Sequence, residues 1–71
     1  MKLTESPAEL RRRRRAARIR LIEMAAHLDI SAPYLFDLEH GNRRFSAGHR
    51  AAYLIGLDLL AQPTAGVSSK P

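Results

Sequence analysis

Glu23-Met24-Ala25-Ala26-His27-Leu28-Asp29-Ile30-Ser31-Ala32-Pro33-Tyr34-Leu35-Phe36-Asp37-Leu38-Glu39-His40-Gly41 is the stretch on which the fold turns. Leu21, Met24, Ala25 and Leu28 recur at helical spacing, which predicts a short amphipathic helix from Leu21 to Leu28. Asp29 ends it, because aspartate tolerates the left-handed conformation of a tight helix-to-helix turn, although glycine does so at lower cost. Ile30 is then placed to plug the corner. Ser31 is an N-cap, Pro33 sits in the first turn where its missing N–H does no harm, and Tyr34, Leu35 and Leu38 carry the next helix to about His40. Gly41 stops that helix by taking the position that needs positive φ. Two short helices joined by such a turn, with the small Ala25 where they cross, fit a helix-turn-helix, and equally an ordinary helical hairpin within a small bundle. In either case Met24, Ala25, Leu28, Ile30, Leu35 and Leu38 lock the pair, and Ser31, Ala32, Phe36 and Asp37 point away.

Toward the N-terminus, Ser6-Pro7-Ala8-Glu9 combines a cap, a first-turn proline and a glutamate three residues after the cap, the pattern of a capping box opening a first helix. Leu10, Arg14 and Ala17 fall at i, i+4 and i+7, so one arginine is carried inward and requires a buried acidic partner. Toward the C-terminus, Asn42-Arg43-Arg44-Phe45 reads as a basic loop and Ser46 caps a fourth helix with Ala51, Leu54 and Leu57 toward the core. Gly56 is expected to weaken this helix and Asp58 to end it, which leaves open whether Leu59-Leu60-Ala61 forms a separate last turn. The expected organisation is an N-terminal arm over residues 1–5, one domain over 6–61, and a tail over 62–71 whose composition suits disorder. The fold class is all-α, a compact domain of four to five helices.

Seventy-one residues allow one domain with a marginal core, so dimerisation is plausible from size alone. Hydrophobic residues make up 45% of the chain and aromatics only 6%, which favours a core of aliphatic side chains on helices. There is no cysteine, and His27, His40 and His49 lack metal-ligand spacing, so neither disulfides nor a metal centre are expected. No nucleophile stands with a base, and neither paired carboxylates nor a phosphate loop is present; catalysis, a cofactor and a small-molecule ligand are not expected. No run of about 18 apolar residues marks a membrane span, and a cytoplasmic setting is expected. Net charge is +5, and seven of the twelve Lys and Arg residues lie between Arg11 and Arg20. That asymmetry points to a polyanion, against the plainer reading of a solvated helix face.

The order Glu23-Met24-Ala25, Leu28-Asp29-Ile30-Ser31, Tyr34-Leu35, Asp37-Leu38-Glu39, Gly41 and Arg43-Arg44 resembles the lambda-repressor-like Cro/XRE family, over roughly residues 9 to 60. The resemblance implies a five-helix DNA-binding domain whose third helix enters the major groove while the second lies across the backbone. It implies that Ser31, Ala32, Pro33 and Asp37 face base edges and that Arg20, His40, Asn42, Arg43 and Arg44 lie near phosphates. It also implies a structural pair between Arg14 and Glu39. Departures from the family pattern are Asp29 at the turn glycine, Leu21 where a polar residue is usual, and Ala32 and Pro33 where amides are frequent, so direct base readout should be sparse.

Within that frame Ala32 or Phe36 is expected to touch a thymine methyl and Asp37 to accept from a cytosine amino group, although Asp37 equally suits a pair with Arg43 or Arg44 and Phe36 a contact with the first helix or across a dimer. Tyr34 is expected to pack and to reach a phosphate, and His27 and His49 to be ordinary surface residues. Leu57, Leu59 and Leu60 lie where the family's two-fold axis commonly falls and are the expected dimer contact. The expectation is a repressor of bacterial or phage type, dimeric on a roughly palindromic double-stranded DNA operator. The rivals are an arginine-rich RNA binder using Arg11 to Arg20, and a protein-interaction adaptor or antitoxin-like regulator on the same fold.

Overall fold

In the computed structural model, which describes residues 6–61, the chain forms four helices: α1 (Pro7–Ala16), α2 (Leu21–Leu28), α3 (Ala32–Glu39) and α4 (Ala47–Leu60). No strand occurs among the described residues, and none of these helices is long and apolar enough to cross a membrane. The expectations of an N-terminal arm and a C-terminal tail fall outside the described residues.

Ser6, Ser31 and Ser46 start α1, α3 and α4 in the same way, each hydroxyl oxygen accepting from the backbone N–H three residues on at 3.1 Å. At α1 only the serine half of a capping box is seen, because the Glu9 carboxylate reaches forward to pair with Arg12. At α2 the carboxylate half does the work: Glu23 Oε1 accepts from the Arg20 backbone N–H at 2.8 Å.

The first three helices end alike. Arg18, Asp29 and Gly41 take positive φ of 64°, 62° and 79°. In each case the N–H of the left-handed residue and that of its successor return to the last turn: Arg18 to Arg15 and Ile19 to Arg14, Asp29 to Ala26 and Ile30 to Ala25, Gly41 to Leu38 and Asn42 to Asp37. This is the Schellman arrangement, and the residue after the turn often packs back on the helix. Ile19 does so completely, at 2% exposure, and Ile30 is half-buried against the core.

The core holds Leu10 of α1, Ile19, Met24, Ala25 and Leu28 of α2, Leu35 and Leu38 of α3, Phe45, and Tyr53 and Leu57 of α4. α4 packs mainly on α2, and α3 packs on α2 and α1. Several expectations are corrected here. The inward face of α4 is Tyr53, Gly56 and Leu57 rather than Ala51, Leu54 and Leu57; Ala51 and Leu54 are exposed. The helix runs through Asp58 to Leu60 without a break. Gly56 is buried, and a Cβ built on it meets Met24 Sδ and His27 Cδ2 at 2.8 Å, so the missing side chain is what lets α2 approach α4. His27 is not an ordinary surface residue: half-buried, it donates through Nε2 to the Ala52 carbonyl at 3.0 Å. Phe45 is buried and meets the Tyr53 ring edge-on at 5.6 Å, which anchors the loop that reads as merely basic.

Candidate nucleic-acid interface

The inner side of α3 is fixed by a buried polar cluster. Arg14 reaches Glu39 with two parallel bonds, Nε to Oε2 at 2.8 Å and Nη2 to Oε1 at 3.1 Å, and its remaining Nη1 donates to the Ile19 carbonyl at 2.7 Å. The Tyr53 hydroxyl donates to Glu39 Oε2 at 2.6 Å and lies 3.2 Å from the Leu10 carbonyl. α1 and α4 therefore meet α3 on the carboxylate of Glu39, a residue only 2% exposed, and Arg14 ties in the loop after α1. Burial disfavours the Arg14 cation, but the hydrogen bond and charge of Glu39, with smaller help from Tyr53, outweigh it and hold the guanidinium above its ordinary value. Burial first, then the hydrogen bond and charge of Glu39, push the Tyr53 hydroxyl well above its own. Tyr53 carried no signal in the sequence beyond being an aromatic within an apolar run.

With Leu35, Leu38 and Glu39 turned inward, the outward side of α3 presents Pro33, Phe36, Asp37 and His40. Phe36 is 48% exposed and stacks on the His40 ring, centroids 3.9 Å apart and planes 20° from parallel, so its partner lies in its own helix rather than in α1. His40 Nδ1 donates to the Phe36 carbonyl at 2.8 Å, which holds the ring along the helix. Asp37 is half-buried, and its Oδ2 lies 3.6 Å from Arg43 Nε. Of the residues expected to face bases, Ser31, Pro33 and Phe36 are exposed, Ser31 with its hydroxyl spent as the cap, while Ala32 is partly packed against the core and Asp37 is half-buried.

Among the residues expected near phosphates, Asn42, Arg43 and Arg44 are exposed in the loop after α3. Tyr34 is half-buried, with the Arg43 guanidinium 4.8 Å above its ring centroid and the His49 ring edge-on at 6.2 Å. Arg20 is exposed at the start of α2 but already faces Glu23, Nε to Oε2 at 3.8 Å. Arg11, which the sequence places only within the Arg11 to Arg20 run, lines an open groove of about 360 Å³ together with His40 and Gly41, between the start of α1 and the end of α3. Of the three leucines expected at a dimer contact, Leu57 is in the core at 6% exposure and Leu60 is half-buried against it; Leu59, 69% exposed, stands open together with Ile55 and Leu54.

The helix N-termini differ in charge. Glu9 and Glu23 sit in the first turns of α1 and α2, whereas the first turns of α3 and α4 hold no acid. A helix N-terminus carries roughly half a positive charge, and a first-turn carboxylate neutralises it. The two that remain positive are the start of α3 and the start of α4, which follows the Arg43-Arg44 loop. Comparison with family models, with curated proteins and with solved structures finds no match to this chain.

Proposed function

We propose that this protein binds double-stranded DNA sequence-specifically, with α2 and α3 acting as a lambda-repressor-like helix-turn-helix, and that it regulates transcription by occupying an operator as a homodimer. The observation that carries this reading is the isolation of α3: every apolar side chain needed to seat it is buried, and its opposite side stays open beside exposed arginines and an unneutralised helix N-terminus. A helix presented in this way fits the major groove, about 12 Å wide, and the flanking positive groups suit phosphates on either side. Helix exposure alone is common. What supports DNA over a neutral partner is the charge distribution, with exposed Arg44 and the Asp37-paired Arg43 in the loop between α3 and the acid-free first turn of α4, and Arg11 lining one groove with His40 at the end of α3.

Selection from a pool of randomised duplexes, competed against a structured RNA, tests the reading. Enrichment of a shared duplex motif that RNA does not displace is the expected result. Preferential retention of RNA would favour an arginine-rich helix binding through Arg11 to Arg20, and failure to retain either nucleic acid would favour a protein-interaction role.

A further inference from the structure

The Arg43 side chain does not trail into solvent. It lies over the Tyr34 ring at 4.8 Å and directs Nε at Asp37 Oδ2 at 3.6 Å. Tyr34 and Asp37 are three residues apart on α3, so the loop arginine is folded back along that helix, beside its outward side. Tyr34 is itself held between the core and the edge of His49. Two side chains of α3, Tyr34 under the guanidinium and Asp37 beside its Nε, thus bring Arg43 back against that helix.

This arrangement is costly for a phosphate contact and favourable for a base contact. A neighbouring carboxylate cancels part of the charge that draws an arginine to phosphate. Reading a guanine demands the opposite: a planar fork aimed at O6 and N7, with charge secondary. With Nε turned to Asp37 and the side chain 54% exposed, the outer edge of the Arg43 fork is the part available to a partner. α3 itself, Ala32-Pro33-Tyr34-Leu35-Phe36-Asp37-Leu38-Glu39, contains no Arg, Lys, Asn or Gln, so a bidentate reader has to come from outside the helix. Pairing with Arg43 also relieves Asp37 of the repulsion that an unpaired carboxylate meets near phosphates.

We propose that Arg43 is the guanine-reading specificity residue of this protein, with Asp37 and Tyr34 as positioning residues that hold its plane. The proposal rests on the DNA-binding reading above. The test uses the full chain and duplexes enriched from the randomised pool, with affinities measured over a range of salt for the parent, Arg43→Ala, Arg43→Lys, Asp37→Asn and, as a control, Arg44→Ala. Circular dichroism checks each variant for retained helix.

Arg43→Ala is expected to lose preference for guanine at one base pair of each half-site, by about ten- to hundredfold, and Arg43→Lys, which still donates to O6 and N7 but without the planar fork, to lose part of it. Replacing that guanine with 7-deazaguanine should weaken the parent and leave Arg43→Ala unaffected. Asp37→Asn should relax the same position while raising affinity for mixed-sequence DNA, a pairing of effects that a merely structural role would not give. If Arg43→Ala instead weakens all duplexes alike and flattens the salt slope by about one unit, as is expected of Arg44→Ala, the arginine touches phosphate and the proposal is overturned. Unchanged preference and unchanged slope overturn it too, leaving a surface pair only. If the parent enriches no duplex, the DNA-binding reading fails along with it.

Discussion

Glu39 accepts hydrogen bonds from Arg14 at both carboxylate oxygens and from Tyr53 at one, with almost no access to water. Removing one partner of such a pair strands a buried charge, so Glu39→Ala or Arg14→Ala should cost about 3–5 kcal/mol in a urea melt, a large part of what a small domain has. Replacing both with apolar residues should be milder, because neither charge is then left alone. Tyr53→Phe removes one hydroxyl and should cost about 1–2 kcal/mol. The same tyrosine sets a pH limit. Its folded-state value is raised above the ordinary value near 10, so the stability it contributes is complete below about pH 10 and is lost as pH rises beyond that toward the folded value. Urea midpoints should therefore fall above about pH 10 in the parent and less steeply in Tyr53→Phe. The inward turn of Arg14 was legible from its spacing to Leu10; the hydroxyl that completes the cluster was not, because contact between Tyr53 and Glu39 is set by how α4 packs on α2 and α1.

At the level of elements, the helix starts were written in Ser6, Ser31 and Ser46, and two ends in Asp29 and Gly41, since each acts through its own side chain or backbone freedom. The end of α1 was not. Arg18 adopts positive φ without glycine's freedom because burying Ile19, and bonding its carbonyl to Arg14, require the turn there. Arg18→Gly should consequently stabilise the fold by about 1 kcal/mol, with a smaller gain for Asp29→Gly, read as a shift in thermal midpoint. The face of α4 was hidden for a different reason: Ala51-Ala52-Tyr53-Leu54-Ile55-Gly56-Leu57 is apolar almost all round, so helical spacing alone cannot choose a side. Gly56 makes the choice by admitting Met24 and His27. Although alanine is the better helix former by about 1 kcal/mol, Gly56→Ala should destabilise by about 1–3 kcal/mol, since the Met24 side chain is fully buried and the His27 ring is tied to Ala52. A gain in stability would mean that the two helices are not closely apposed there. Phe45 and Ile19 escaped notice because each follows arginine, and local polarity masks a buried apolar residue.

At the scale of the molecule, three of the five large apolar side chains exposed among the described residues, Leu54, Ile55 and Leu59, lie on α4, with Ile22 on α2 and Phe36 on α3 the other two, while Leu57 is used inside. A two-fold contact there is the dimer arrangement we propose, and it must set the two α3 helices about 34 Å apart to reach successive turns of DNA. Leu59→Glu should keep its helical circular dichroism, sediment as a monomer and lose tight binding to a two-half-site duplex while retaining weak binding to one half-site, because the second half-site loses its high effective concentration. Full binding by that variant would move the interface elsewhere. The central claim is that the outward side of α3 enters the major groove, and methylation interference at guanine N7 tests it most directly on a duplex enriched by the parent protein. Two clusters of interfering guanines on one face of the duplex, about one helical turn apart, are the expected result. Binding indifferent to N7 methylation, or sensitive only to changes in the minor groove, would contradict it.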